Sequence, residues 1–161
     1  MTASFLRFAA IVALAVLLCG GRSPESGPRA QASYGSLEVG KQIPGFGSVS
    51  DTGEHYQSRE PWTNLTIYSI APEHPPCTVD VGEKVPSPRA RKMGARLMRT
   101  GDPKVAKLFG MKVVHGKPFR YDTTMVVICD EKCRVLRIWT SAGIDDLDNL
   151  LKQFESERAG K

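Results

Sequence analysis

Four cysteines and three histidines are the side chains of this 161-residue chain best suited to chemistry. Their spacing sets two groups apart. In the first, an apolar, β-branched run from Leu65 to Ala71 ends in Pro72-Glu73-His74-Pro75-Pro76-Cys77-Thr78. The run predicts a buried strand, and the proline-rich turn after it delivers one thiol to the edge of a sheet. A cysteine reacts as its thiolate, which needs nearby positive charge or hydrogen-bond donors. Backbone N–H groups after Cys77, His74 three residues before it, and an arginine from a later basic segment could supply them. His74 could lower the thiol pKa or shuttle a proton; a surface histidine in a proline-rich turn is the plainer reading.

The second group is Cys129 and Cys133, which bracket the polar turn Asp130-Glu131-Lys132 between the runs 123–129 and 133–140. Two such runs around a short turn predict an antiparallel hairpin, and cysteines at facing strand ends suit a disulfide. The loop is small, so a bridge there would stabilise by somewhat less than the ~3 kcal/mol of a 15-residue loop. A structural staple is the expected role, with a redox-active pair as the alternative. Two cysteines without a second cluster do not make a zinc site, and neither metal nor organic cofactor is expected.

The address of the chain decides what its cysteines can do. Arg7 precedes an almost wholly apolar run, 8–18, too short to cross a ~30 Å hydrocarbon core. It reads as the h-region of a signal peptide, so the protein is expected to be exported, periplasmic or envelope-anchored. Three processing sites compete. Cys19-Gly20-Gly21 followed by a polar stretch is similar to a lipoprotein signal, with Cys19 acylated; Ala30-Gln31-Ala32 is an A-x-A site; cleavage after Gly21 also fits. Residues 1–32 are accordingly taken as signal peptide and tether and residues 33–161 as a single domain. Pairing Cys129 with Cys133 in an oxidising compartment leaves Cys77 as the free thiol.

Beyond residue 32 the chain holds nineteen Lys and Arg against sixteen Asp and Glu, a net +3. Eleven of the basic residues fall between Lys84 and Arg120, with Asp102 the lone acid. The segment is expected to form a basic face, whether a solvated helix pair or a surface for an anionic membrane or an acidic protein. Without interleaved aromatics, nucleic acid is not an expected partner.

The elements that must position these groups follow from pattern. Asp51-Thr52-Gly53-Glu54 is turn chemistry within an extended entry. Ser87 as N-cap and Pro88 at N1 predict a helix running through Ala90, Met93, Gly94, Leu97 and Met98, with no recognisable strand between it and the next helix. That next helix starts at Asp102-Pro103 and closes at Gly110. The segment 143–154 predicts a last amphipathic helix with Ile144, Leu147, Leu150, Leu151 and Phe154 on one face.

Several of these stretches resemble the redoxins, the thioredoxin-like and peroxiredoxin-like proteins. His74-Pro75-Pro76-Cys77 resembles the Cys-Pro-Pro-Cys turn of thioredoxin-like proteins with histidine for the first cysteine, and Pro75-Pro76-Cys77-Thr78 is similar to the Thr-Pro-x-Cys-Thr loop of peroxiredoxins with His74 in place of threonine. Gly40-Lys41-x-x-Pro44-x-Phe46 is similar to the opening of both. Asp102 through Met111 resembles their Asp-x-x-x-Val-Ala-x-x-Phe-Gly-Val helix. The sequence departs from them after Cys77, where Gly82, Pro86 and Pro88 interrupt the first helix, and at Asp122-Thr123-Thr124, where the family has its cis-proline and the nearest proline here is Pro118.

The resemblance, from Gly40 to Phe154, implies a thioredoxin-like three-layer α/β fold: a central mixed sheet with flanking helices. It implies Cys77 as nucleophile toward peroxide or protein thiols and disulfides, regenerated by a reductant the sequence does not identify, with His74 assisting and Arg120 in the place of the family's peroxide-orienting arginine. A second reading makes the fold a catalytically silent binding module of the cell envelope, acting through the basic face. Geometry separates them: Cys77 within disulfide reach of Cys129 or Cys133 indicates a redox relay, whereas a buried, remote Cys77 favours the module.

Overall fold

The structure, a computed structural model, describes residues 27–50, 52–115 and 120–160. The signal-peptide run, Cys19, the Gly21 cleavage site, Lys117 and Pro118 lie outside these residues. The chain opens with β1 (Arg29–Gln31), β2 (Ser33–Tyr34), β3 (Leu37–Glu38), β4 (Gly47–Val49) and β5 (His55–Gln57), then enters the central strand β6 (Thr66–Ile70). There follow β7 (Thr78–Asp80), α1 (Pro88–Lys92), β8 (Arg96–Thr100), α2 (Pro103–Leu108), β9 (Val113–Val114) and β10 (Arg120–Tyr121). β11 (Met125–Cys129), β12 (Val135–Thr140) and α3 (Leu147–Ala159) complete it.

Six strands form one mixed sheet in the order β1-β12-β11-β6-β8-β7, with β6 and β8 parallel and the other neighbours antiparallel. Alternation along β6 divides the core in two. Tyr68 and Ile70 face a cluster with Met98, Val127, Phe109 of the α2 turn and the entry residues Leu37, Ile43 and Phe46. Ile67 faces the opposite cluster, with Leu97, Ile128, Trp139, Ala90 of α1 and Leu147, Leu150, Leu151 and Phe154 of α3. The sheet is thus sandwiched between α2 with the entry segment on one side and α1 with α3 on the other, the expected three layers.

Three differences from the sequence reading bear on the site. The helix at Ser87 is capped as predicted, Ala90 N donating to Ser87 Oγ at 3.0 Å, but it ends by Met93, because Gly94 turns the chain at φ 63°. Leu97 and Met98 lie in strand β8, the middle strand missing from the sequence pattern. Both faces of β8 are covered, so burial overrides the weak strand preference of Arg and Met. After Cys77 the first helix is interrupted as expected, but the chain there forms β7, an edge strand that the sequence pattern does not show. Finally, Arg29–Gln31, placed with the tether, pairs with Ile138–Thr140 as the opposite edge of the sheet.

The basic segment does not form one face. α1 packs on one side of the sheet and α2 on the other. Four of its arginines are held by acids: Arg89 by Glu155, Arg91 by Glu83, Arg96 by Glu60 and Arg99 by Asp80.

Candidate functional site

The turn carrying Cys77 is clamped to the end of β8. Ala71 N donates to Thr100 O at 3.2 Å, Gly101 N donates to Pro75 O at 2.8 Å, and Thr100 Oγ1 donates to Pro76 O. The approach is close enough that a Cβ on Gly101 would lie 2.2 Å from His74 O, so only glycine fits there.

Held this way, Cys77 is 0% exposed within the cluster of Tyr68, Ile70 and Met98. Burial pushes its thiol up from the ordinary value of 9.0; a hydrogen bond with Ser48 opposes this, and the Asp102 carboxylate adds to it. Among the described residues no cation acts on it. The missing helix removes the other source of thiolate stabilisation, since β7 offers no converging N–H groups.

The expected assistants stand elsewhere. His74 Nε2 meets Ser69 Oγ at 3.0 Å. Ser69 alternates with Tyr68, so it points to the α1–α3 side, away from the cluster that holds Cys77. Burial holds the imidazole below its ordinary value; Glu73 opposes this and Arg99 reinforces it. Arg120 is an exposed residue of the β9–β10 ribbon, opposite Val114. The structure therefore brings Cys77 together with Ser48 and Asp102, not with His74 or Arg120.

Cys129 and Cys133 occupy the other end of the sheet. Cys129 lies opposite Thr66, the first residue of β6, whereas Cys77 follows its last. Four strand steps, roughly 13 Å, intervene. That exceeds the Cα separation of any disulfide, about 7 Å at most. All three are free thiols in the structure, and the expected Cys129–Cys133 bridge is not formed.

Around that pair are residues the sequence reading passed over. Arg96 is 4% exposed: its Nε donates to Thr66 Oγ1 at 2.9 Å, an Nη donates to Glu60 O at 2.6 Å, and its guanidinium lies 5.5 Å from the Trp62 ring. The sequence places it only within the basic segment; its alternation with Met98 and Thr100 is the signal that marks a buried strand position. On the α3 side of this same end, a cleft of about 430 Å³ is lined by Leu65, Leu136, Phe154 and paired arginines, Arg134 with Asp130 and Arg137 with Glu157. Among the described residues no cluster of three His, Cys, Asp or Glu is placed to hold a metal ion.

No family model matches the chain, and no curated protein matches it. Solved structures do. A cysteine-to-serine mutant of PrxQ from Xylella fastidiosa is similar at a TM-score of 0.50 and 6% identity, over 76% of this chain and 98% of that one. BcpB, a peroxidoxin from Mycobacterium tuberculosis, gives 0.47 and 15% over 74% and 97%. A domain of a possible thiol-disulfide isomerase from Cytophaga hutchinsonii gives 0.43 and 15% over 81% and 100%. The fold is thioredoxin-like.

Proposed function

We propose that this chain is an exported protein of the cell envelope in which the redoxin fold serves as a binding module and Cys77 is a core residue rather than a peroxidatic or exchange thiol. Export rests on the apolar run 8–18 behind Arg7. The module reading rests on one observation: the Cys77 thiol has no exposed surface, and the charge acting on it is the carboxylate of Asp102. A thiolate formed there would be desolvated and repelled, the reverse of what a redox nucleophile requires.

The surface suited to an anionic partner lies on α2 and the β9–β10 ribbon. Leu108 is 44% and Val114 59% exposed, and Lys104 and Lys107 of α2, Lys112 beside β9 and Arg120 opposite Val114 are exposed as well. An acidic protein or an anionic headgroup fits such a basic patch with apolar anchors.

Peroxide or protein thiol chemistry at Cys77 is the second reading. It is favoured by the place of the thiol, in the turn leaving the C-terminal end of the central parallel pair. The purified protein is treated with hydrogen peroxide at neutral pH and each cysteine is followed by mass spectrometry. Cys77 is expected to oxidise no faster than a free cysteine. Rapid formation of its sulfenic acid would replace the module with a peroxidase.

A further inference from the structure

We propose that Cys133 and Cys129 form a redox-active dithiol at the end of the sheet opposite Cys77. In it Cys133 is the entry thiol, Cys129 the resolving thiol, and Arg59 and Arg96 the cations that flank them. The inference goes beyond the reading of Cys77 as silent and does not depend on it.

The first support is backbone conformation. Asp130 N donates to Arg134 O and Cys133 N to Asp130 O, both at 3.0 Å, which leaves 131–133 as a three-residue hairpin loop. The last residue of such a loop takes the left-handed conformation and is ordinarily glycine. Here it is Cys133, at φ 58°. A strained non-glycine residue points from structure to a use for its side chain.

The second support is company. Cys133 is two residues before Val135, the direct cross-strand partner of Cys129. Ile43 N donates to Cys133 O at 2.9 Å, and Arg59 Nε donates to Ile43 O at 2.9 Å, which brings Arg59 beside Cys133. Arg96 is bonded to Thr66, which faces Cys129 across the β6–β11 ladder. Burial pushes both thiols up; at Cys129 the Cys133 thiol and the Asp130 carboxylate add to this ahead of the opposing Arg96 guanidinium, whereas at Cys133 Arg96 is the largest charge and opposes it, joined by Arg59 and countered by Asp130. Among the described residues no such cation acts on Cys77. Of the three cysteines only Cys133 has any exposure, 6% against 0% for the others.

The reaction is exchange with an external disulfide, RSSR. The Cys133 thiolate attacks one sulfur of RSSR, forming a mixed disulfide and releasing RS⁻. The Cys129 thiolate then attacks the Cys133 sulfur, closing the Cys129–Cys133 bond and releasing the second RS⁻. The two cysteine protons end on the two released thiolates, so one dithiol is oxidised and one disulfide reduced.

Glutathione buffers of stepped GSH to GSSG ratio supply the test on the mature protein. After acid quench and alkylation, mass spectrometry reads each cysteine. Cys129 and Cys133 are expected to pass together from alkylated to bridged within the range of ratios, with Cys77 alkylated throughout and the transition unmoved by Cys77→Ser. Cys129→Ser is expected to trap glutathione on Cys133 at least tenfold more than Cys133→Ser traps it on Cys129. Arg59→Gln, an exposed position, is expected to move the pH dependence of that trapping upward. A bridge that persists at every ratio would make the pair a permanent staple and overturn the proposal, as would thiols that stay reduced at every ratio or a bridge to Cys77. If Cys129→Ser fails to give a native circular dichroism spectrum, the parent titration alone decides. Oxidation of Cys77 by itself would count against the silent-Cys77 reading and leave this one standing.

Discussion

Cys77 and Cys129 lie in one core cluster yet at opposite ends of β6, Cys77 in the turn that leaves Ile70 and Cys129 across the ladder from Thr66. The hydrophobic layer between them is continuous through Tyr68, whose ring is 6.0 Å from that of Phe109. No direct sulfur–sulfur transfer can cross it. The chain's thiol chemistry is therefore divided between two ends with different electrostatics: a carboxylate, Asp102, acts at Cys77, whereas Arg96 as well as the Asp130 carboxylate acts at Cys129 and Cys133, joined by Arg59 at Cys133.

Burial of three thiols makes stability fall at alkaline pH. Each is raised in the fold from the ordinary 9.0, so above about pH 9 the unfolded chain gives up protons that the native state retains. The contribution is complete below pH 9 and is lost as pH rises toward the folded values. Urea midpoints at pH 7 and pH 10 should drop more for the parent than for a variant with all three cysteines changed to Ala. Tyr68 is raised in the same direction chiefly by burial, which both proteins share, so that part of its contribution cancels in the comparison.

Gly101→Ala should destabilise the protein by about 1–3 kcal/mol, because a methyl group 2.2 Å from His74 O must displace the turn. Displacing the turn also opens Cys77. Alkylation of the native variant by iodoacetamide should then be faster at Cys77 than in the parent, with the rate at Cys133 unchanged. Unaltered stability would mean that the turn is not clamped by this contact.

At position 133 the usual order of Ala and Gly should invert. In a left-handed conformation, Cys133→Gly is expected to be more stable than Cys133→Ala by about 1 kcal/mol, since the Cβ penalty there is about 1–2 kcal/mol. Denaturant unfolding of the pair measures it. Equal stabilities would show that the turn is not strained at Cys133.

Removal of β1 should cost stability too. A chain beginning at Ser33 lacks Arg29–Gln31 and leaves the β12 edge at Ile138–Thr140 unpaired, for about 1–3 kcal/mol in lost ladder hydrogen bonds. Comparison with a chain beginning at Gly27 tests this by thermal unfolding. The result also bears on processing: cleavage after Ala32 would release the edge strand, whereas cleavage near Cys19 or Gly21 would retain it.

Much of the architecture was legible in local pattern. The run ending at Ile70, the hairpin around Asp130, the Asp102-Pro103 cap and the amphipathic stripe of α3 each satisfy a rule that needs only neighbours a few residues away. Strand β8 was not legible, because Arg96-Leu97-Met98-Arg99 carries no strand preference of its own and is extended only by pairing with β6 and β7.

The sequence by itself determined the layered fold class, the placing of Cys77 at the end of the central strand and the pairing of the hairpin that carries Cys129 and Cys133. Tertiary structure alone decided what surrounds each thiol. His74 is three residues from Cys77, but strand alternation directs it to Ser69 on the other face of the sheet. Arg96, more than thirty residues before Cys129, reaches the same end of the sheet because β8 and β11 flank β6. Hydrophobic periodicity is set by near neighbours, so it can be read along a chain. The field at a sulfur atom depends on charges brought close in space by strand order and register, and that order is fixed only when the whole core packs.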